Sequence, residues 1–166
     1  TPAPRPPSPQ SAAQSLSRPD GSLAELMRAI MFPNSNIIFD VQDNDPAVEK
    51  KLNPAGGGAL LTFANMYAGW DQVQQAALAL SEAPDLIAKP GRLCSNGVPV
   101  PLDREDFPRW LQEFRVVART ILEAARKKDR ARVSDLTGDL IEACLNCHVQ
   151  YRTDVPGGPF RCVPRR

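Results

Sequence analysis

The sequence predicts an all-α protein, an antiparallel up-down-up-down four-helix bundle. Four stretches of the 166 residues carry apolar side chains at helical spacing. The segments between them are rich in proline, glycine and polar residues, which favour turns, and they lack the apolar–polar alternation of β-strands. Helices with one apolar face can share a core as a bundle.

The first two helices are predicted from a cap and from apolar spacing. Ser22 is placed as an N-cap, and Glu25 completes a capping box. This helix is expected to break at Pro33–Asn36. The second helical pattern covers about Leu60–Ala88, and Pro84 should kink or end it locally.

The last two helices fill most of the second half of the chain. The third should run from about Asp103, a good N-cap residue, to Lys128. After a basic turn, the fourth should cover about Ala131–Arg152. The run Pro156–Pro159 then ends helical structure.

Residues 1–20 are predicted to form a flexible, proline-rich tether ahead of one domain at residues 21–166. The segment contains six prolines and few bulky apolar side chains. It therefore cannot bury enough surface to offset the entropy of ordering it. An inert tail and a link to a membrane anchor both stay open.

Composition excludes several classes of protein. Twenty Lys and Arg residues against nineteen Asp and Glu give a net charge of +1, without the basic surplus of a nucleic-acid-binding protein. We find neither a signal peptide nor an apolar run near the ~18–20 residues that span a bilayer. We expect no enzymatic activity, because no nucleophile–base pair is evident and Gly56-Gly57-Gly58 does not follow a strand.

One motif carries clear chemistry, Cys144-Leu145-Asn146-Cys147-His148. This C-x-x-C-H spacing is the attachment signature of a c-type haem. Cys144 and Cys147 lie on one helical face and can both form thioethers at one edge of a porphyrin, and His148 can bind the iron as its proximal ligand. His148 is the single histidine of the chain, which argues against a coincidence.

Three other interpretations of the motif compete with haem, of which plain core cysteines are the weakest. A dithiol redox pair is expected in a strand-then-helix setting, and here the motif lies deep in a helix. A structural zinc site could be assembled from three cysteines and His148 with Cys94 or Cys162 as the third. The histidine next to Cys147 favours haem over all three.

The remaining two cysteines are predicted to form a disulfide. In an up-down-up-down bundle the second and fourth helices end at the same pole, and Cys94 and Cys162 follow those helices. Exported proteins seldom keep free thiols. A disulfide and covalent haem attachment both place the chain outside the cytosol.

The same topology suggests a sixth iron ligand. His148 lies ~6 Å from the end of its helix, and Met27 lies ~7–8 Å into the first helix from the same pole, at 1.5 Å per residue. Met27 is therefore the preferred axial ligand and Met31 the second choice. Alternatively both methionines fill the core, and Leu23, Leu26 or Ile30 caps an open iron.

The motif and its position resemble one known family. Residues 144–152, ending in Tyr151 and Arg152, are similar to C-x-x-C-H-x-x-[YF]-[RK] of the class II c-type cytochromes, the cytochrome c-prime family. These are four-helix bundles with the motif near the C-terminus. The weaker likeness extends over about residues 22–155.

The resemblance implies one covalent haem c per chain, anchored by Cys144 and Cys147. His148 would be the proximal ligand, and Arg152 would flank the proximal face. The expected function is electron transfer to or from a partner protein in the periplasm or another exported location. The alternative is a five-coordinate haem that binds NO or CO. Members of the family often dimerise, so a homodimer stays open.

Overall fold

The structure, a computed structural model, describes residues 18–48, 68–152 and Cys162, and it is helical. The first helix, α1, covers residues 23–40 in three consecutive sections, Leu23–Leu26, Met27–Met31 and Phe32–Asp40. The other three helices are α2 (Gly69–Ile87), α3 (Asp106–Arg126) and α4 (Arg130–Tyr151). Within the described ranges no strand forms, and one isolated bridge joins Leu93 to Pro99. The all-α prediction is confirmed.

Several predictions concern other parts of the chain. The tether up to residue 17, the run Gly56-Gly57-Gly58, the predicted start of the second helix at Leu60 and the stop at Pro156–Pro159 lie outside the described residues.

The N-terminus of α1 is the predicted capping box. The Ser22 hydroxyl accepts a hydrogen bond from the Glu25 N–H at 3.3 Å, and the Glu25 carboxylate accepts one from the Ser22 N–H at 2.8 Å. These bonds satisfy two backbone donors that a helix start leaves free. The Ser22 hydroxyl also contacts the Glu25 carboxylate at 2.7 Å, and this contact, followed by the bond from the Ser22 N–H, lowers the pKa of Glu25.

The predicted break of α1 at Pro33–Asn36 is wrong. The section Met27–Met31 is π-helical, and Pro33 stands in the first turn of the α-helical section that follows, where a missing N–H is tolerated. The Asn34 side chain donates a 2.7 Å hydrogen bond to the Ile30 carbonyl. The helix therefore continues through Pro33, with a π-helical turn just before it.

One further boundary prediction is wrong. Asp103 does not cap α3, which begins at Asp106 after Glu105, a residue without a side-chain capping bond. Pro84 lies inside α2 and does not end it, because α2 continues to Ile87, next to the predicted end at Ala88. Near Pro84, the Ser81 hydroxyl donates to the Leu78 carbonyl at 2.8 Å.

The four helices share one apolar core. α2 packs along α3, α3 packs along α4, and the Phe32–Asp40 section of α1 packs against both α2 and α4. The largest fully buried side chains come from all four helices and the turn after α1: Ile38, Leu80, Ile87, Ile121, Leu140, Val41 and Val133. None of the described helices is long and apolar enough to cross a membrane.

Hydrogen bonds bring four helix ends together at one end of the molecule, here called the cysteine pole. The Gly21 carbonyl, just before α1, accepts a hydrogen bond from Arg92. The Leu23 N–H, at the start of α1, donates to Leu93 O at 2.8 Å. Arg92 and Leu93 both follow α2. At the start of α3, Arg104 contacts Tyr151 in the last turn of α4. At the opposite pole, Arg130 at the start of α4 donates to backbone carbonyls just after α1.

Candidate functional site

The C-x-x-C-H residues lie in the last two turns of α4, close to the cysteine pole. Cys144, Cys147 and His148 are all half-buried, and Cys144 packs against the core. Because residues three and four apart share a helix face, the three side chains leave α4 in a common direction. The structure thus places the motif at the inner side of α4, where a group shared between helices can lie.

Cys147 and His148 line a partly open, largely apolar cavity of about 50 Å³ whose other walls come from other elements. Met27 of α1 lines the same cavity, whereas Met31 is buried in the core and is not part of its wall. The other walls come from the starts of α1 and α3, the loop after α2 and the end of α4: Leu23, Ala24, Cys94, Ser95, Phe107, Leu111, Tyr151, Arg152 and Cys162. A histidine and a methionine from two helices therefore face one small apolar space.

The cavity keeps the motif residues uncharged. Burial, with a smaller effect of Arg152, lowers the pKa of His148, so its imidazole is neutral at neutral pH, the form that binds metals. Burial raises the pKa of Cys144 to about 11 and that of Cys147 to about 12. Reactive redox thiols have lowered values, so these two thiols do not have the character of a dithiol redox centre.

Tyr151 anchors the end of α4 to the start of α3. Its hydroxyl donates to Asp106 at 2.9 Å and accepts from the Arg104 guanidinium at 2.8 Å. Its buried ring meets the edges of Phe107, at a centroid distance of 5.1 Å, and Trp110, at 6.0 Å. Burial and the bond to Asp106 raise the pKa of Tyr151 to about 12. The turn that carries His148 is thereby fixed in position.

Arg104 and Asp106 are site residues that sequence reasoning missed. Arg104 lies just before α3 and Asp106 is its first residue, 47 and 45 positions from Tyr151. Burial would raise the pKa of Asp106, but the hydrogen bonds from Tyr151 and Arg104 outweigh it and lower that pKa. No local pattern in the sequence signals the pairing, because only the tertiary fold brings the two segments together.

Cys94 and Cys162 lie at disulfide distance, with their Cα atoms 5.9 Å apart and a sequence separation of 68. The predicted pairing is therefore confirmed. Both residues also line the cavity that contains His148. The link closes the cysteine pole on the side where the start of α1 meets the end of α4.

The loop that carries Cys94 is organised by a buried arginine that the sequence did not reveal. Arg92 donates through Nε to Leu86 O at 2.8 Å and through a terminal nitrogen to Gly21 O at 2.6 Å. Burial lowers the pKa of its guanidinium. A tight turn follows, in which Gly97 has a φ of 80° and its N–H donates to the Cys94 carbonyl. These bonds hold Cys94 and Ser95 against the cavity.

This arrangement removes the third cysteine ligand that the zinc interpretation needs. A site of three cysteines and His148 needs Cys94 or Cys162, and these two are paired with each other. In the part of the chain that the structure describes, no three His, Cys, Asp or Glu side chains are grouped to hold a metal ion.

The donor set fits a covalently attached haem. α4 supplies two thiols and a neutral imidazole, α1 supplies a thioether, and the walls are largely apolar. The cavity is much smaller than a porphyrin, and it marks where the side chains of the candidate ligands His148 and Met27 face one space. The first section of α1, Leu23–Leu26, makes no extensive packing with α4 among the described helix pairs.

Comparison with known proteins adds no relative to this picture. Neither the models of known protein families, nor the curated proteins, nor the solved structures contain a match to the chain.

Proposed function

We propose that this chain is an exported mono-haem c-type cytochrome that transfers electrons. The observation that carries the proposal is the shared cavity: His148 and Cys147 of the C-x-x-C-H motif and Met27 of α1 line one apolar space. In this proposal the helices form an antiparallel up-down-up-down bundle with the haem near the cysteine pole. The hydrogen bonds that join helix ends at both poles support that topology.

Each site residue has a role in the proposal. Cys144 and Cys147 form thioethers, His148 is the proximal ligand and Met27 the distal one. When bound, haem supplies an iron that gains and loses one electron, and a thioether ligand raises its reduction potential. Tyr151 holds the turn that positions His148, and Arg152, whose N–H donates to the His148 carbonyl at 3.0 Å, flanks the proximal side.

The protein's own contribution is to orient ligands and exclude water. The neutral His148 imidazole needs no proton release to bind a metal, and the apolar walls keep solvent away from it. Such a site needs no catalytic acid or base. An exported location is favoured by the disulfide pair, since disulfides persist in oxidising compartments.

A second candidate function rests on Leu23 and Ala24. These residues line the same cavity as Met27. If one of them instead of Met27 covers the distal side, the iron is five-coordinate and binds NO or CO. The two candidates differ in one side chain, which makes them separable by a single substitution.

The test is the ferrous-minus-ferric absorption spectrum, recorded with and without CO, of protein made with haem-attachment machinery. The wild type should show sharp low-spin bands that CO does not alter. Met27→Leu should become high-spin and bind CO, whereas the matched control Met31→Leu should stay low-spin. A low-spin Met27→Leu protein would exclude Met27 as the ligand. A wild type that binds CO would favour the gas-binding function.

A further inference from the structure

The outer side of α4 carries an exposed apolar stripe next to the haem-attachment motif. Ile141, Leu145 and Val149 are 45%, 51% and 52% exposed. Their four-residue spacing aligns them on one side of the helix, about one turn apart. Single exposed apolar residues are common on surfaces, but a continuous row along one helix indicates a contact surface. We call these three residues the α4 stripe.

The α4 stripe lies at the same level along the helix as the motif, on its outer side. Leu145 stands between Cys144 and Cys147, and Val149 directly follows His148. A protein seated on the α4 stripe would therefore be separated from the candidate haem-attachment residues by the width of α4 and by no more than about one helical turn, or ~5 Å, along the axis.

An acidic margin borders the α4 stripe. Asp135, Asp139 and Glu142 are exposed, and they lie roughly a quarter turn further round the same helix. None of these three carboxylates forms a salt bridge with another side chain in the described part of the chain. The margin thus presents three exposed carboxylates, without a salt bridge among the described residues, next to apolar surface.

We propose that the α4 stripe and its acidic margin are the docking surface for a redox partner protein whose own contact face has an apolar centre bordered by Lys or Arg side chains. This inference rests on the proposed electron-transfer function. Opposite charges on the two faces would speed encounter and fix orientation, while the apolar centre provides contact. Electron-transfer complexes are weak and small, which suits a patch of this size.

A second copy of the chain fits this surface poorly. A symmetric dimer built on α4 would bring the acidic margin of each copy close to that of the other, which is repulsive. Three side chains also fall well short of the ~800 Å² that each partner buries in a stable interface. The occupant is therefore a basic protein.

The experiment is an NMR titration of the ¹⁵N-labelled haem protein with mitochondrial cytochrome c, a basic protein whose haem edge is surrounded by lysines. Both proteins are kept ferrous. We expect shifts of the backbone amides on α4 between Asp135 and Val149, and weaker binding as the salt concentration rises.

Matched variants separate the apolar from the charged contribution. Ile141→Ser should weaken binding roughly five- to tenfold. Val116→Ser, on the 55% exposed Val116 of α3, should leave binding unchanged. Asp139→Asn with Glu142→Gln should weaken binding and reduce its salt dependence, whereas Glu123→Gln on α3 should do neither.

Three results would overturn the proposal. Shifts confined to other helices would place docking elsewhere. An absence of shifts on α4 would show that another part of this chain or nothing at all covers the stripe. Self-association that Ile141→Ser abolishes would make the occupant a second copy. The absorption spectrum keeps the two proposals apart, because a haem-containing protein that fails to bind overturns docking alone. A chain without haem overturns the electron-transfer function and the docking that rests on it.

Discussion

The two sides of α4 are built differently. Along α3, α4 packs over its length through fully or almost fully buried side chains, among them Ile121, Val133 and Leu140. Along α1, the most extensive packing comes from the Phe32–Asp40 section; nearer the cysteine pole Leu23, Ala24 and Leu26 are buried, whereas Met27 and Ile30 are half-buried. There a disulfide and a buried arginine, Arg92, join the neighbouring segments instead.

The two sides of α4 therefore have different structural roles. The α3–α4 side is completed by the chain's own side chains and fixes the frame. The α1–α4 side near the cysteine pole joins apolar walls to the candidate ligands Met27 and His148. Regions with few buried contacts open more readily than packed cores. In the proposed function, this is the helix pair that would open to admit the haem.

The largest expected effect follows from removing the disulfide. Cys94→Ser with Cys162→Ser opens a link spanning 68 residues, which should lower the free energy of unfolding by about 4 kcal/mol on the chain-entropy model. Hydrogen exchange should quicken most at residues 21–31 and least along α3. Equal loss of protection in α3 would contradict the division between the two sides.

Core truncations should differ between the two sides. Leu140→Ala removes a fully buried side chain and should cost about 2–5 kcal/mol of stability. Ile30→Ala removes a half-buried one and should cost about 1 kcal/mol. Urea denaturation with the disulfide intact measures both values. Similar losses would mean that both sides are packed equally well.

The smallest of these effects is expected for Tyr151→Phe. It removes two hydrogen bonds but leaves Arg104 and Asp106 paired at 3.2 Å, so the loss of stability should be about 1 kcal/mol. The iron reduction potential should shift as well, because the turn carrying His148 is less fixed. Phe39→Leu, a change of a half-buried side chain on α1, serves as the control and should leave the potential unchanged.

What the sequence could predict depends on the range of the interaction. The Ser22–Glu25 capping box and the C-x-x-C-H motif are local patterns, and both could be read from neighbouring residues. The pairing of Cys94 with Cys162 followed from helix directions alone. Pro33 was misjudged because the turn before it is π-helical and Pro33 falls in the first turn of the next helical section, where a missing N–H is tolerated.

The contacts that support the candidate site could not be foreseen. Arg92 is an isolated charge in a loop, and its burial depends on carbonyls of α2 and of the segment before α1. Arg104 and Asp106 meet Tyr151 only through the packing of α3 on α4. Met27 and Met31 are four residues apart, and the helix register favoured Met27 as the axial ligand. The structure places Met27 on the cavity with His148, and iron ligation by it stays a proposal.

The central claim is that the chain holds a haem covalently through Cys144 and Cys147. The most direct measurement is the absorption spectrum of the polypeptide after denaturation and acid–acetone extraction, in protein made with haem-attachment machinery. The haem bands should stay with the unfolded wild-type chain and be lost from the double variant Cys144→Ser with Cys147→Ser. A wild-type polypeptide free of haem bands would contradict covalent attachment.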